Sequence, residues 1–153
     1  EYIVCAGNSE DTTLELIQNI NSPKIKIVHS VWDDSLREGG KVLAVETDKA
    51  KAAAASDSDW LFYLQGDECI HEKDYETIRN AMHTYKNDKR VEGLLFRYVH
   101  FYGSYQYTGD SRRWYNHEIR IIKNDPAIKS WKDAQGFRKN EKKLNVKTID
   151  AFI

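Results

Sequence analysis

A pair of adjacent acids follows an apolar run in the middle of the chain. Residues 60–64 read Trp-Leu-Phe-Tyr-Leu, and Gln65, Gly66, Asp67 and Glu68 come directly after them. Proteins bind Mg²⁺ with one or two carboxylates together with substrate phosphates. Gly66 has no Cβ and would leave room for a bulky ligand. The sequence therefore predicts a metal site at Asp67 and Glu68, with a helix cap at Asp67 as the alternative.

A second polar segment, Gly-Asn-Ser-Glu-Asp-Thr-Thr at residues 7–13, joins a predicted strand to a predicted helix. Its hydroxyls and backbone donors suit a ribose or a phosphate at a helix N-terminus. The segment has neither P-loop spacing nor a GxGxxG pattern, which excludes those phosphate-binding motifs. A solvated turn that caps the helix through Ser9 or Asp11 is the alternative.

Three further groups of residues have side chains suited to a site. Residues 37–41 form a basic, glycine-containing loop, which either brings Lys41 to a diphosphate or is a plain surface loop. His100 ends an apolar strand, where it is a metal ligand, a base or a hydrogen-bonded partner in a polar pocket. Residues 112–115, Arg-Arg-Trp-Tyr, suit sugar stacking, phosphate contact or a structural cation–π patch.

The spacing of apolar residues predicts the elements that position these groups. Strands are predicted at residues 2–6, 24–28, 60–64, 91–102 and 118–123, and helices at about 14–20, 41–55 and 73–86. Alternating strands and helices are typical of right-handed crossovers and a largely parallel sheet. Ligands of such sheets bind beyond the carboxyl ends of the strands, which places residues 7–11 and 65–68 on one edge.

Composition narrows the class of protein. A chain of 153 residues with 41% hydrophobic and 31% charged residues suits one soluble globular domain. The net charge of −1 gives no global attraction for nucleic acid. Cys5 and Cys69 have no metal-ligand spacing and indicate free thiols in a reducing compartment. The sequence shows no membrane span and no signal peptide, so we expect a cytoplasmic protein that is at most peripheral to a membrane.

Four segments occur in an order that resembles the family 2 glycosyltransferases, whose fold is GT-A. They are GNSEDTTLELI at residues 7–17, GGKVLAVETDKA at 39–50, DWLFYLQGDE at 59–68 and EIRIIK at 118–123. The LQGDE stretch stands where that family has its Asp-x-Asp metal motif. The likeness covers about residues 1–137 and is strongest to a bacterial branch. It implies a single α/β catalytic domain with a Rossmann-like, mostly parallel sheet flanked by helices and a mixed antiparallel edge.

The resemblance also implies an activity, transfer of a sugar from a nucleotide diphosphate donor to an acceptor hydroxyl with inversion, as in polysaccharide biosynthesis. The acceptor would be a sugar, a lipid-linked sugar or another hydroxyl compound. Asp67, with Glu68 and His100, would hold Mn²⁺ or Mg²⁺ against the diphosphate. Asp133 would take the acceptor proton, with Glu118 as the second candidate. The residues implied to lie near the donor are Asn8, Ser9, Asp11, Lys41, Gln65 and Gly66.

The sequence departs from the family pattern at three places. Gln65 replaces the first acid of the metal motif, and Ala6 and Gly7 stand where an acid often ends the second strand. The family's first strand would precede Glu1, so we expect an N-terminally incomplete fragment. These departures leave two other interpretations open, a non-catalytic nucleotide-sugar-binding module and a scaffold domain whose polar residues only cap helices.

Overall fold

A computed structural model describes residues 1–7, 9–109 and 111–153 of the chain. The strands in this part are β1 (Tyr2–Ala6), β2 (Ile25–His29), β3 (Trp60–Phe62), β4 (Gly93–Arg97), β5 (Phe101–Tyr102), β6 (Ser104–Thr108), β7 (His117–Lys123), β8 (Ile128–Ser130), β9 (Phe137–Lys139), β10 (Lys142–Lys143) and β11 (Val146–Phe152). The helices are α1 (Thr13–Asn19), α2 (Lys41–Ala52) and α3 (Tyr75–Tyr85), with 3₁₀ turns at Asp34–Leu36, Glu38–Gly40 and Glu72–Asp74.

The chain divides into two compact units. The first contains Glu1–Ser58 and Pro126–Asn140, and the second contains Asp59–Asp125 and Glu141–Ile153. The single catalytic domain expected over residues 1–153 stays a prediction.

The first unit is built around a pair of parallel strands and one long helix. Strand β1 pairs with β2 in register from Tyr2 opposite Ile25 to Ala6 opposite His29. Helix α2 contacts β1 and also β8, which forms an antiparallel pair with β9. The alanine-rich composition of α2 favours the helix, and Val42 is its buried apolar residue. This arrangement sets the turn between β8 and β9 beside α2.

The second unit contains a four-stranded sheet in the order β11-β4-β7-β3. Strand β7 is antiparallel to both β3 and β4, and β4 is parallel to β11. The core residues of the unit are Ile78, Val91, Leu94, Phe96, Ile121, Ile149, Ala151 and Ile153. Because β7 lies between two other strands, its charged residues Glu118 and Arg120 are buried, as are Ile121 and Ile122.

The predicted GT-A fold, with one mostly parallel sheet flanked by helices, is wrong. The described strands form four small sheets, and antiparallel pairs outnumber the two parallel pairs. The predicted elements were largely found where expected, but β7 lies between β3 and β4 instead of at an edge. Hydrophobic periodicity predicts whether a segment is a helix or a strand, but it does not predict which strands pair. The position of β7 between β3 and β4 could therefore not be predicted from it.

No helix in the described ranges is long and apolar enough to cross a membrane.

Candidate functional site

The turn that joins β8 to β9 in the first unit contains Asp133, the carboxylate expected to act as a base. Its neighbours Lys132 and Ala134 have φ angles of 56° and 62°, in the left-handed region that non-glycine residues rarely adopt. Such strained residues cost about 1–3 kcal/mol each and cluster at functional sites. The backbone N–H of Trp131 donates to the carbonyl of Gly136 at 2.9 Å, which closes the turn. The surrounding structure thus holds Asp133 in a conformation that the isolated segment would not favour.

Asp133 packs directly against the glycine that precedes α2. A Cβ built on Gly40 would lie 2.2 Å from the Cβ of Asp133 and 2.9 Å from its Cα. Gly40 also has a φ of 69°, so a side chain there would be both strained and in collision. Lys41, the first residue of α2, follows immediately and is exposed. The structure therefore brings together the basic-loop glycine and the predicted base.

The Asp133 side chain has an oxygen without a described partner. Its Oδ1 is buried and accepts no hydrogen bond from the described residues, and the same holds for Oγ of Ser130 in the same segment. A buried polar atom that lacks a hydrogen bond costs about 1–3 kcal/mol. Native proteins have few such atoms, and those that occur are commonly explained by local strain, by a catalytic role or by a bound ligand. Asp133 is therefore the best-supported functional residue of the first unit.

Two neighbouring glycines allow a matched test of this packing. We expect Gly40→Ala to lower the free energy of unfolding by roughly 2–3 kcal/mol, because left-handed strain and the collision with Asp133 add. Gly39→Ala is the control, since Gly39 has a similar φ of 65° but no atom within 4 Å of its built Cβ. Its cost should be about 1 kcal/mol, from strain alone. Urea unfolding measures both values, and equal losses would contradict the contact.

A buried polar cluster links β1, β2 and α2 in the same unit. Glu46 of α2, 8% exposed, accepts hydrogen bonds from the Cys5 thiol at 3.3 Å and from Lys49 Nζ at 2.7 Å. Lys49 Nζ also donates to Oγ of Ser30 at 2.6 Å. Burial raises the pKa of Glu46, but hydrogen bonds from Lys49, Ser30 and Cys5 outweigh it and hold that pKa below its usual value. The cluster fixes Lys49, whose side chain is 42% exposed.

No motif in the sequence indicates that these four residues form a cluster. Cys5 is a free thiol, as expected, and burial and its hydrogen bond to Glu46 raise its pKa to about 11. The one feature of the sequence that indicates part of the cluster is the spacing of Glu46 and Lys49. They are three residues apart on a predicted helix, which allows an ion pair.

The two cysteines should differ in reactivity. At about pH 8 we expect iodoacetamide to alkylate exposed Cys69 at least tenfold faster than Cys5, because the thiolate is the nucleophile. The rate at Cys5 should rise with pH up to about 11, the pKa of that thiol. Mass spectrometry of a time course distinguishes the two sites. Equal rates for both thiols in the folded chain would contradict the hydrogen bond to Glu46.

The other residues of this unit that are predicted to lie near the nucleotide-sugar donor are on its surface. Ser9 is exposed, and Oδ1 of Asp11 accepts from the backbone N–H of Thr13 at 3.0 Å. A hydrogen bond from the side chain of Thr13, together with this one from its backbone, holds the pKa of Asp11 below its usual value. The solvated turn with a helix cap, the alternative interpretation of this segment, accounts for Asp11. Asn8 lies outside the described residues.

In the second unit, Glu68 is bound to the buried Arg120. The two side chains are 1% and 2% exposed, with Arg120 Nη2 2.5 Å from Oε1 and Nε 2.9 Å from Oε2. The Tyr98 hydroxyl donates to Oε1 at 2.8 Å and the backbone N–H of Gln65 donates to Oε2 at 3.1 Å. Arg120 Nη1 also lies 3.4 Å from Oε2 of Glu118. The residues Glu68, Arg120, Glu118 and Tyr98 are called the arginine cluster.

The arginine cluster makes Glu68 and Glu118 parts of the fold. Burial raises the pKa of Glu68, but hydrogen bonds from Arg120 and its charge outweigh burial and hold that pKa below its usual value. Burial and the hydrogen bond to Glu68 together raise the pKa of Tyr98. The geometry favours Asp133 over Glu118 as a base, because the Glu118 carboxylate faces Arg120 inside the unit.

The residues predicted to bind a metal do not fit a preformed cation site. Both oxygens of Glu68 accept hydrogen bonds from Arg120, and His100 Nε2 lies 2.7 Å from the carbonyl oxygen of Tyr115, which requires the proton on Nε2. Within the described ranges, no three His, Cys, Asp or Glu residues come together as a possible metal site. Asp67 is exposed. The metal assignment stays a prediction, and no chemical step is derived through it.

Two smaller expectations about this loop also have outcomes. Asp67 does not cap the following helix, because Nδ1 of His71 accepts from the backbone N–H of Lys73 at 3.2 Å and fills that role. A Cβ built on Gly66 meets no atom within 4 Å, so the space around this residue is open and does not depend on its being a glycine.

Comparison with known proteins gives no match, whether with models of protein families, with curated proteins or with solved structures.

Proposed function

We propose that this chain transfers a sugar from a nucleotide diphosphate donor to an acceptor hydroxyl, with Asp133 as the general base. The observation that supports the proposal most is the buried Oδ1 of Asp133, unpartnered among the described residues, on a strained turn against Gly40. The order of the sequence segments, which resembles that of the family 2 glycosyltransferases, supports the choice of reaction.

The proposed step uses a carboxylate in an ordinary chemical role. The acceptor hydroxyl gives its proton to Asp133 while its oxygen forms a bond to the anomeric carbon of the donor sugar. The bond between that carbon and the diphosphate breaks, and the diphosphate leaves with the electron pair. A positioned general base typically contributes about 10²–10⁴-fold to such a rate.

Two lysines of the first unit are candidates to bind the diphosphate of the donor. Lys41 follows Gly40, and Gly40 packs against Asp133, so the backbone of Lys41 lies close to the proposed base. Lys49 is held by Glu46 and Ser30 beyond the carboxyl ends of β1 and β2.

Isothermal titration calorimetry of the full chain tests the donor class. UDP-glucose, UDP-galactose, UDP-N-acetylglucosamine and GDP-mannose are titrated with and without Mn²⁺. We expect at least one of them to bind, and Lys41→Ala to weaken that binding. No heat of binding across the panel in either condition would overturn the proposal.

A second candidate function is a nucleotide-sugar-binding module without catalysis. It is favoured by the arginine cluster, which engages two of the predicted acids, Glu68 and Glu118, in the fold. This candidate predicts donor binding with no product from any acceptor.

A further inference from the structure

The second unit presents an aromatic pocket that the proposed reaction does not use. Strands β5 and β6 form a hairpin through Gly103, whose φ is 70°. A cavity of about 380 Å³ lies beside it, lined by Tyr102, Tyr107, Thr108, Gly109, Ser111 and Trp114. These six residues are called the tyrosine pocket. Its volume falls at the small end of the range of about 300–1,000 Å³ that is typical of small-molecule sites.

The indole that forms one wall of the tyrosine pocket is fixed in place. A Cβ on Gly109 would lie 2.6 Å from Nε1 of Trp114, so the ring rests directly on the glycine backbone. The centroid of His100 lies 4.7 Å from that of Trp114 and 4.6 Å from that of Tyr98. The Tyr98 hydroxyl in turn donates to the buried Glu68. A series of tilted ring contacts therefore connects Trp114 to the arginine cluster and positions its ring.

The other walls of the tyrosine pocket are exposed aromatic rings and hydroxyls. Tyr102 and Tyr107 are 67% and 69% exposed, and Trp114 is 39% exposed. Exposed tyrosines offer large, amphipathic contact area at a low cost in conformational entropy. Thr108 and Ser111 add hydroxyls that donate and accept hydrogen bonds. These rings and hydroxyls suit a ligand that has both an apolar face and several hydroxyl groups.

We propose that the tyrosine pocket binds a neutral sugar ring. The apolar C–H face of a pyranose would lie on the Trp114 ring or a tyrosine ring, and its hydroxyls would bond to Thr108, Ser111 and the tyrosine hydroxyls. A cationic ligand is the other common guest of aromatic pockets. A sugar is the better match here because Thr108 and Ser111 add hydroxyl groups to the lining, which a cation on the ring faces would not use.

The site is independent of the proposed transfer reaction, since binding is measured with the sugar alone and without any nucleotide. Failure of sugar binding therefore leaves the donor experiment unaffected, and failure of donor binding leaves this site unaffected.

Saturation-transfer NMR and tryptophan fluorescence of the full chain test the proposal. The probes are the methyl glycosides of glucose, galactose, mannose and N-acetylglucosamine, with tetramethylammonium as the cationic comparison. We expect at least one glycoside to bind, and Tyr107→Ser and Tyr102→Ser each to weaken it about fivefold. Tyr75→Ser is the matched control, because Tyr75 is an exposed tyrosine on α3 at 54% and lies outside the pocket; its affinity should be unchanged.

Three results would overturn the sugar site. They are no binding of any glycoside, equal affinities in the wild type and both pocket variants, or binding of tetramethylammonium without binding of the glycosides.

Discussion

Replacing Arg120 by Met is expected to lower the free energy of unfolding by about 3–5 kcal/mol at neutral pH. Arg120 is 1% exposed and is the cation that faces both Glu68 and Glu118. Methionine fills much of the same space but leaves the buried carboxylate of Glu68 without its positive partner. Breaking a buried ion pair by removing one side is far more costly than replacing both sides, because the remaining charge is uncompensated.

The effect of Arg120→Met should depend on pH. Burial raises the pKa of Glu68, but Arg120 outweighs it and lowers that pKa in the folded protein. A carboxyl with a lowered folded pKa contributes stability above its unfolded pKa and loses it as the pH falls through the folded value. The variant lacks this contribution, and its carboxyls can take up protons. The difference between wild type and variant should therefore be full above about pH 5 and should shrink as the pH falls below about 4, through the lowered pKa of Glu68.

An exposed ion pair supplies the control for Arg120→Met. Arg79 and Glu76 contact each other at 2.7 Å with side chains 75% and 68% exposed, so Arg79→Met should cost no more than about 1 kcal/mol. Urea unfolding at each pH, with amide hydrogen exchange of β7 as the local readout, measures both variants. A loss for Arg120→Met no larger than for Arg79→Met would show that the arginine cluster does not stabilise the unit.

Replacing Asp133 by Asn is expected to lower the rate of sugar transfer by about 10²–10⁴-fold. Asparagine has nearly the same size and shape but cannot accept the acceptor proton as a base. The fold should be retained, because the substitution removes the charge of a carboxylate whose Oδ1 is buried and has no hydrogen-bond partner among the described residues. Donor affinity should stay within about threefold, since the proposed role of Asp133 is in the chemical step alone.

The control for Asp133→Asn is the same substitution at an exposed acid of the same unit. Asp57 is exposed, and Asp57→Asn should leave both the transfer rate and the melting temperature unchanged. Equal rates for wild type and Asp133→Asn would remove Asp133 from the mechanism, whatever the donor affinity.

Local structure followed from the sequence more closely than the fold did. The predicted strand at residues 2–6 is β1, and the alanine-rich segment forms α2 from Lys41 to Ala52. The predicted strand at 60–64 ends at Phe62. Pairing was not predictable in the same way, because it depends on contacts between distant residues. The antiparallel insertion of β7 between β3 and β4 is the clearest example.

The role of Asp133 that the resemblance implies stays a prediction. Its strained turn is local, whereas its contact with Gly40 joins distant parts of the sequence and could not be predicted from spacing. Glu68 was selected as a metal ligand, yet it binds Arg120, which lies 52 residues away in sequence. Nothing in the spacing of these two residues indicates the pair, because burial and pairing arise only when β7 becomes a central strand.

The most direct test of the proposed transferase is product formation by the full chain. A nucleotide sugar that binds in calorimetry is incubated with a set of simple glycoside acceptors, and mass spectrometry detects the glycosylated acceptor and the released nucleoside diphosphate. The proposal predicts product with the wild type and with Asp57→Asn, and little or none with Asp133→Asn at a donor concentration that saturates both. Saturating donor binding with no product from the wild type, or undiminished product from Asp133→Asn, would contradict it.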